Sequence, residues 1–360
     1  MATIEQLTPN FLSSLLNDYW GGDGPEVSSV DARQIGTGQM GRCYQLSLTY
    51  SGEVPADTPA RVLAKLPSTD DGSRQFATAM QAYAREVEFY REVAPRLSVR
   101  TPACYGAGVS ADGSDFHLLL EDLSPVSACD QIGGCDAQQA KAVLSEMAAL
   151  HAESWRNPQL QKMPFLQTGL AVWHHIGSAV QPTSKVFVQR FAERLDDSAI
   201  RMANEIGAGG AADWFAFLKE PRCLWHSDLR LDNVLFEGRA GEVPVALVDW
   251  QSVCLAPGSI DASYFIGSGM GDAVRRAAED DLLRFYYERL RDGGVHDYSW
   301  DQCQREYRAN AVAGFLVAMF ASVSVEQTER GDEMFSVLAN RHAQHMVDHD
   351  SLKSISALAR

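Results

Sequence analysis

The sequence predicts an α+β protein of two lobes, a small β-rich N-terminal lobe followed by a larger and mostly helical C-terminal lobe. Short segments in which apolar and polar residues alternate occupy the first third of the 360 residues, and long segments of helical spacing occupy the rest. Because strands and helices are segregated along the chain, a parallel sheet of alternating strands and helices is not expected. We predict the lobes at 1–122 and 123–360.

The N-terminal lobe is predicted to begin with an amphipathic helix over residues 1–20, where apolar residues recur at helical spacing. Alternating residues predict strands from about 27 to 67. A helix is expected over 74–94, and an apolar strand over 116–120.

The C-terminal lobe is predicted to contain long helices and short strands. The first helix begins at Asp136, a suitable N-cap, and ends near Trp155, and a second helix covers 183–206. Short strands are expected between 222 and 249, and helices dominate again over 271–360.

The composition excludes several classes of protein. The formal net charge of −16 argues against nucleic acid as a partner, because phosphate backbones are bound by an excess of Lys and Arg. The longest apolar stretch, 311–325, is shorter than the roughly 20 residues of a membrane span, so no membrane partner is expected. Scattered Cys residues without a C-x-x-C pair, and no signal-peptide pattern, predict a cytoplasmic location. No sequence feature indicates an oligomeric state.

The segment 224–236 carries the strongest functional motif, H-x-D-x-x-x-x-N, formed by His226, Asp228 and Asn233. A strand-like segment then ends at Asp249. Phosphoryl transfer needs one carboxylate to orient a hydroxyl and accept its proton, and an amide oxygen and a second carboxylate to hold Mg²⁺. Asp228, Asn233 and Asp249 supply this set. The alternative is a surface loop whose Asp and Asn only cap turns, which an isolated H-x-D would suit better than the full motif.

Three glycines, Gly36, Gly38 and Gly41, form the motif G-x-G-x-x-G. The motif alone fits either a dinucleotide-binding turn or a loop over the phosphates of ATP. A dinucleotide-binding fold needs a helix directly after it, whereas residues 43–50 alternate as a strand. We therefore predict a phosphate-covering loop, and a plain hairpin turn is the alternative.

Lys65 lies inside an apolar strand, which is a costly place for an ammonium group without a partner. In kinases a strand lysine contacts the α- and β-phosphates of ATP and is positioned by a glutamate on the next helix. Glu86 is the predicted partner, and Glu88 is the alternative. The competing interpretation places Lys65 at a strand edge with its ammonium group in water.

The segment 118–123 falls where the two lobes are predicted to join. We expect the backbone at Glu121 and Leu123 to meet the adenine edge of the nucleotide. The alternative is that these residues only cap the segment that follows.

In this order, the motifs resemble those of the aminoglycoside phosphotransferase and choline kinase superfamily, which shares the protein-kinase-like fold. Within it the chain most resembles the ecdysteroid-kinase-like branch, from about residue 30 to 325. Three stretches carry that likeness: Glu86-Val87-Glu88-Phe89-Tyr90, Glu121-Asp122-Leu123 and Asp249-Trp250-Gln251.

The resemblance implies a bilobal protein-kinase-like fold with ATP in the cleft beneath the glycine loop. It implies Asp228 as the catalytic base, Asn233 and Asp249 as Mg²⁺ ligands, and His226 as a structural member of the loop. It also implies that Asp261 braces this catalytic loop.

Two residues depart from the pattern of the superfamily. Ser227 replaces the usual glycine between the histidine and the aspartate, and Arg230 stands where protein kinases carry a lysine. The fixed charge and fork of donors of Arg230 can neutralise the γ-phosphate, which makes it a candidate catalytic residue. The alternative is a surface cation.

The expected reaction transfers the γ-phosphoryl group of ATP to a hydroxyl of a small-molecule acceptor. The acceptor pocket is expected among helices between 155 and 215 and after 265, and its aromatic residues favour an amphipathic alcohol such as a sterol or terpenoid. These residues are Trp173, Phe187, Phe191, Trp214 and Phe215. An aminoglycoside- or choline-type kinase is the alternative within the superfamily. Alternatives of another class are a catalytically silent nucleotide-binding protein of the same fold and a Rossmann-type NAD-binding oxidoreductase.

Histidines outside the motif are expected to be structural. His151 is predicted to pack in the core of the helical lobe. The C-terminal His342, His345 and His349 fall at helical spacing, and an exposed polar helix face is preferred there over a metal site.

Overall fold

The computed structural model describes residues 3–22, 24–36, 38, 40–218, 222–237 and 245–358. Internal contacts distinguish two units. As far as they are described, unit 1 comprises Met1–Arg96 and Thr101–Pro125, and unit 2 comprises Leu97–Arg100 and Val126–Arg360. Unit 1 thus runs to Pro125, whereas the boundary proposed from the sequence lies after residue 122.

Unit 1 is built on a five-stranded antiparallel sheet with the strand order β1-β2-β3-β5-β4. The strands are β1 (Val27–Ile35), β2 (Gly41–Tyr50), β3 (Arg61–Pro67), β4 (Cys104–Val109) and β5 (Phe116–Glu121). Lys65 pairs with Cys43 of β2 on one side and with Leu118 of β5 on the other. It therefore lies on the central strand, and the interpretation that placed it at a sheet edge is wrong.

The helices of unit 1 are α1 (Pro9–Tyr19), α2 (Asp71–Ala79) and α3 (Ala82–Glu88), and a π-helical turn over Phe89–Val93 extends α3. Leu12 and Leu16 of α1 are buried among apolar residues of the sheet. The prediction of one helix over 74–94 is wrong in one respect. Gln81 has a left-handed backbone with φ of 54°, which separates α2 from α3.

Unit 2 is mostly helical, as the sequence predicts. Its helices are α4 (Ala137–Ser154), α5 (Pro164–Phe191), α6 (Asp197–Glu205), α7 (Ala212–Phe217), α8 (Ile260–Ser268), α9 (Asp272–Asp292), α10 (Trp300–Ser324), α11 (Glu329–Asp348) and α12 (Ser351–Leu358). Its strands are β6 (Val126–Ala128), β7 (Cys223–Trp225), β8 (Val234–Glu237), β9 (Val245–Leu247) and β10 (Cys254–Ala256). They form two small antiparallel sheets, one of the order β6-β8-β9 and one that pairs β10 with β7.

The helix boundaries of unit 2 follow local signals. The Asp136 carboxylate accepts hydrogen bonds from the backbone N–H groups of Gln138 and Gln139 and so caps α4, as predicted. The prediction of a single helix over 183–206 is wrong, because α5 already begins at Pro164, where a proline suits the first helical turn, and ends before α6.

The core of unit 2 forms around α10. By length and composition α10 could span a membrane, but 67% of its most apolar window is buried inside the protein, as expected for a core helix. Phe187, Phe191 and Trp214, expected to line an acceptor pocket, have exposed fractions of 0%, 1% and 0% and belong to this core. These three side chains pack against other core residues, so the structure gives no support to their expected place in an acceptor pocket.

Candidate active site

The H-x-D-x-x-x-x-N motif occupies the loop between β7 and β8. Pairing with β10 fixes β7 up to Trp225, and the 3₁₀ turn Leu231–Asn233 then returns the chain towards the loop. The amide Nδ2 of Asn233 donates to the backbone oxygen of Asp228 at 2.8 Å and to its Oδ2 at 3.1 Å. Two of the predicted site residues are therefore in direct contact.

The carboxylate of Asp228 is surrounded by hydrogen-bond donors. The Tyr264 hydroxyl donates to Oδ1 at 3.1 Å, and Nε of Arg230 donates to Oδ2 at 3.3 Å. Burial raises the pKa of Asp228 above its ordinary value, and the charge of Asp249 adds to that rise, while Arg230 opposes it. A carboxylate with a raised pKa is a stronger base, which suits a group that must accept a proton.

Asp249 stands at the end of the strand that follows the catalytic loop. The N–H of Val248 donates to the backbone oxygen of Asn233 at 3.1 Å. The carbonyl oxygen of Val248 lies 3.0 Å from Nε2 of His226. The strand end is thus fixed to the loop through His226, which acts as a structural side chain here. Asp249 directly follows Val248, so it stands next to the strand residue that is bonded to Asn233.

The donor set beside Asp228 fits Mg²⁺. Asn233 uses its amide nitrogen on Asp228, so its oxygen Oδ1 is the atom left for a metal. Carboxylate and amide oxygens are the hard ligands that Mg²⁺ binds in proteins. A divalent cation would also offset the repulsion between Asp228 and Asp249.

Asp261, near the start of α8, fixes the backbone of the loop that contains His226 and Ser227. Its Oδ2 accepts the N–H of His226 at 2.8 Å, and its Oδ1 accepts the N–H of Ser227 at 3.3 Å. Nε2 of His151 lies 3.2 Å from Oδ2, and Nδ1 lies 2.7 Å from the Tyr286 hydroxyl. With an exposed fraction of 1%, Asp261 is a buried carboxylate whose donors come from three separate residues.

Ser227 adopts a backbone conformation that explains why a glycine is usual at this position. Its φ of 71° lies in the left-handed region, which glycine enters without steric cost. The Ser227 hydroxyl accepts a hydrogen bond from Nε1 of Trp173 at 3.2 Å. Trp173, in turn, stacks on Trp225 with the ring centroids 4.6 Å apart, so it packs against the strand that leads into the loop.

Arg230 is held by the acids of its own loop. Nε lies 3.3 Å from Oδ2 of Asp228, and Nη1 lies 3.5 Å from Oδ2 of Asp232. Burial alone would lower the pKa of Arg230, but these two carboxylates raise it above its ordinary value. Its side chain is 21% exposed, so it is partly buried between these acids.

The glycine loop of unit 1 requires its glycines for different reasons. Gly36 has φ of 71°, which favours glycine. A Cβ on Gly38 would lie 2.7 Å from the backbone oxygen of Gly41, and one on Gly41 would lie 3.2 Å from that of Leu66. Thr37 and Gln39 lie outside the described residues. The loop leads into β2 and not into a helix, which contradicts the Rossmann-type alternative.

Lys65 and Glu86 form a buried ion pair within unit 1. Nζ lies 2.7 Å from Oε1 and 2.8 Å from Oε2, and the two residues are 8% and 1% exposed. Glu88, the alternative partner, instead lies 3.7 Å from Arg91 at the surface. The predicted pair is therefore the one that the structure brings together.

Glu121 and Leu123 differ in the hydrogen bonds that their backbone groups make. The Glu121 carboxylate accepts the N–H of Ala103 at 3.0 Å, and the Glu121 N–H donates to the Ala103 oxygen at 2.8 Å. These contacts hold β4 beside β5. Within the described chain, no hydrogen bond engages the backbone of Leu123.

Sequence reasoning missed two residues of the site. Tyr264 lies one helical turn after Asp261, and that spacing on one helix face could have indicated it. Gln131 accepts the N–H of Leu231 at 2.7 Å and donates to the oxygen of Ser268 at 2.9 Å, which anchors the loop to α8. Nothing in the local sequence around Gln131 indicates this contact, because its partners lie 100 or more positions away.

Solved structures with the same architecture define the class of fold. The chain matches a GDP complex of a mutant aminoglycoside 2'-phosphotransferase-IIIa with a TM-score of 0.52 at 13% identity, over 95% of this chain and 100% of that chain. For a gentamicin complex of APH(2")-IIa the TM-score is 0.51 at 13% identity, over 96% and 99%. The protein has the kinase-like fold of these small-molecule phosphotransferases.

The family follows from the sequence match. The model of the Ecdysteroid kinase-like family matches residues 36–294, more than half of the chain. The protein belongs to this family. An uncharacterized kinase-like protein of Caenorhabditis elegans is 21% identical over 295 residues, 74% of this chain and 75% of the relative.

A second relative from Caenorhabditis elegans bears a different name. This uncharacterized oxidoreductase is 24% identical over 331 residues, which cover 85% of this chain. The chain spans 39% of the length of that relative. Its name therefore describes a much longer protein. In this chain a strand follows the glycine loop, which gives no support to a dinucleotide-binding fold.

We predict that Asp261→Asn lowers the free energy of unfolding by about 1–3 kcal/mol. The new NH₂ group would face at least one group that now donates a hydrogen bond to the carboxylate, and two donors cannot bond each other. Urea denaturation measures the change. Asp281→Asn, at an exposed position of α9, is the matched control and should stay within about 0.5 kcal/mol of the parent. Equal effects of the two substitutions would contradict the bracing role.

Proposed function

We propose that this protein is a kinase that transfers the γ-phosphoryl group of ATP to a hydroxyl group of a small molecule and requires Mg²⁺. The observation that carries the proposal is that Asn233 bonds Asp228 through its side chain and bonds Val248, the residue before Asp249, through its backbone. Membership of the Ecdysteroid kinase-like family supports it. Because ATP is the donor, we also propose a cytoplasmic location.

The proposed roles in unit 2 follow from the contacts of each side chain. Asp228 orients the acceptor hydroxyl and takes its proton as the new O–P bond forms and ADP leaves. Asn233 Oδ1 and the Asp249 carboxylate would hold Mg²⁺, which supplies positive charge to the phosphates. Arg230 lies beside the base and would place a fixed positive charge next to the transferred group.

The proposed roles in unit 1 concern the nucleotide. The ammonium group of Lys65, held by both oxygens of Glu86, would contact the α- and β-phosphates. Gly36, Gly38 and Gly41 would let the loop backbone approach the phosphates without side chains between them. The backbone of Leu123 would meet the adenine edge.

A partly open pocket in unit 2 is our candidate for the site of the acceptor. It measures about 490 Å³ and is lined by Gln161, Leu166, Gln167, Leu170 and Leu255. This volume lies within the range of small-molecule sites, and leucines with two amide groups suit an apolar body that carries hydroxyls. We propose a sterol- or terpenoid-like alcohol as the acceptor class, with an aminoglycoside- or choline-type acceptor as the alternative.

We predict that ATP with Mg²⁺ raises the melting temperature of the protein and that NAD does not. Ligands that bind the native state stabilise it according to their concentration relative to Kd. A thermal-shift series with ATP, ATP with Mg²⁺, and NAD measures the effect. Stabilisation by NAD alone would contradict the proposal, and binding of ATP without turnover over a broad panel of alcohols would favour the silent alternative.

We predict that Asp228→Ala reduces phosphoryl transfer by at least about 10²-fold, because general base catalysis contributes this much, while nucleotide affinity is retained. Phosphorus NMR of the protein with Mg²⁺-ATP and pooled hydroxylated metabolites follows the product. Asp213→Ala, at an exposed position of α7, is the control for loss of a surface acid. Transfer by Asp228→Ala at the parental rate would show that the base is another group.

We predict that Tyr264→Phe moves the acidic limb of the pH–rate profile to higher pH. The hydrogen bond from Tyr264 lowers the pKa of Asp228, so its removal raises that pKa further. Since only the ionised carboxylate accepts a proton, activity then begins at higher pH. Tyr287→Phe removes a hydroxyl that bonds the Tyr298 backbone instead, and its limb should stay in place. An unchanged acidic limb in Tyr264→Phe would show that Tyr264 does not influence the pKa of the base.

A further inference from the structure

The C-terminal histidines do not form an exposed helix face, and that preferred interpretation of the sequence is wrong. His342 and His345 of α11 each have an exposed fraction of 0%, and His349, directly after α11, is partly buried. Buried imidazole groups are polar and need partners. The partners of His345 and His349 come together at one point of unit 2.

Glu279 of α9 is the shared partner of these two histidines. Nε2 of His345 lies 2.9 Å from Oε1 of Glu279, and Nε2 of His349 lies 2.8 Å from the same oxygen. The three atoms lie within 4.8 Å of one another. The Tyr307 hydroxyl of α10 also lies 2.6 Å from Oε1. Three polar groups therefore converge on one carboxylate oxygen, and the tautomer of each imidazole decides whether its Nε2 donates a proton or offers a lone pair.

The other oxygen of Glu279 is engaged by Arg275. Nη1 of Arg275 donates to Oε2 at 2.7 Å, and Nη2 donates to Asp348. Asp348 also accepts from Nε of Arg276 at 2.7 Å. The two guanidinium groups are thus paired with two carboxylates, and a metal at Oε1 would share the charge of Glu279 with Arg275.

The ligand atoms of the cluster face one another. The two Nε2 atoms of His345 and His349 and Oε1 of Glu279 lie within 4.8 Å of one another, so one ion could contact all three. Neutral imidazole and ionised carboxylate are the forms that bind metals. Nδ1 of His345 has no partner in the described part of the chain, which leaves Nε2 as the nitrogen that faces the cluster.

We propose that Glu279, His345 and His349 bind a divalent transition metal, by their chemistry Zn²⁺, which ties α9 to α11. Two imidazole nitrogens four positions apart and one carboxylate oxygen form a three-ligand zinc set, with a fourth position for water. Mg²⁺ prefers oxygen ligands, so this site is chemically distinct from the one at Asn233 and Asp249. The Tyr307 hydroxyl donates to Oε1 of Glu279 at 2.6 Å and lies 3.1 Å from Nε2 of His345, so it borders the proposed site.

Zinc retention by the full-length protein tests the proposal. The protein is stripped with a chelator, titrated with Zn²⁺ in excess Mg²⁺, desalted and analysed for bound metal by mass spectrometry. We expect about one Zn²⁺ per chain and a higher melting temperature in the parent. His349→Ala should lower zinc affinity at least tenfold and lose the thermal shift, because it removes one of three ligands. His296→Ala, which removes an exposed histidine of the same unit, should behave as the parent.

A second measurement keeps the proposal testable if His349→Ala does not fold. X-ray absorption of the zinc-loaded parent should show two nitrogen ligands at about 2.0–2.1 Å, as expected for zinc–imidazole bonds. A parent that retains no zinc, a His349→Ala variant that retains as much as the parent, or an oxygen-only shell would each overturn the proposal. The cluster would then be a hydrogen-bonded hub centred on Glu279.

Discussion

The buried carboxylate of Asp261 is the contact on which the conformation of residues 226–233 depends. The N–H groups of His226 and Ser227 follow the end of β7 and lie inside the protein, where an unpaired N–H group is costly. Asp261 accepts both of them from the first turn of α8, where the helix dipole also favours a negative charge. The left-handed backbone of Ser227 and the position of Asp228 therefore follow from where α8 begins.

The parts of the site that could be predicted from the sequence are those that one loop or one strand–helix pair assembles. Asp228 and Asn233 are separated by a single 3₁₀ turn, so the spacing alone brings them together. The Lys65–Glu86 pair was predictable because an ammonium group in an apolar strand needs a buried partner on a nearby element. In both cases local chemistry restricts the possible partners to one or two residues.

Other features depend on packing between elements that are distant in the sequence. Tyr264, Gln131 and the Glu279 cluster acquire their roles only when α8, α9 and α11 are in place. Aromatic residues on α5 were predicted to line a pocket, but a large apolar side chain suits a core equally well, and only the tertiary structure decides. The break at Gln81 was missed for a similar reason, since a non-glycine residue with positive φ leaves no clear signal in the sequence.

Helix α8 links the catalytic loop to the histidine cluster. Asp261, Tyr264 and Gly267 are spaced three residues apart and so lie near one another on the helix surface. Asp261 fixes the loop backbone, Tyr264 bonds the proposed base, and a Cβ on Gly267 would lie 2.4 Å from Nδ1 of His345. Because interiors are close-packed, a shift of α11 at His345 must displace α8 or be resisted by it. Whatever fixes Glu279 to His345 and His349 therefore also limits the movement of the helix that positions Asp228.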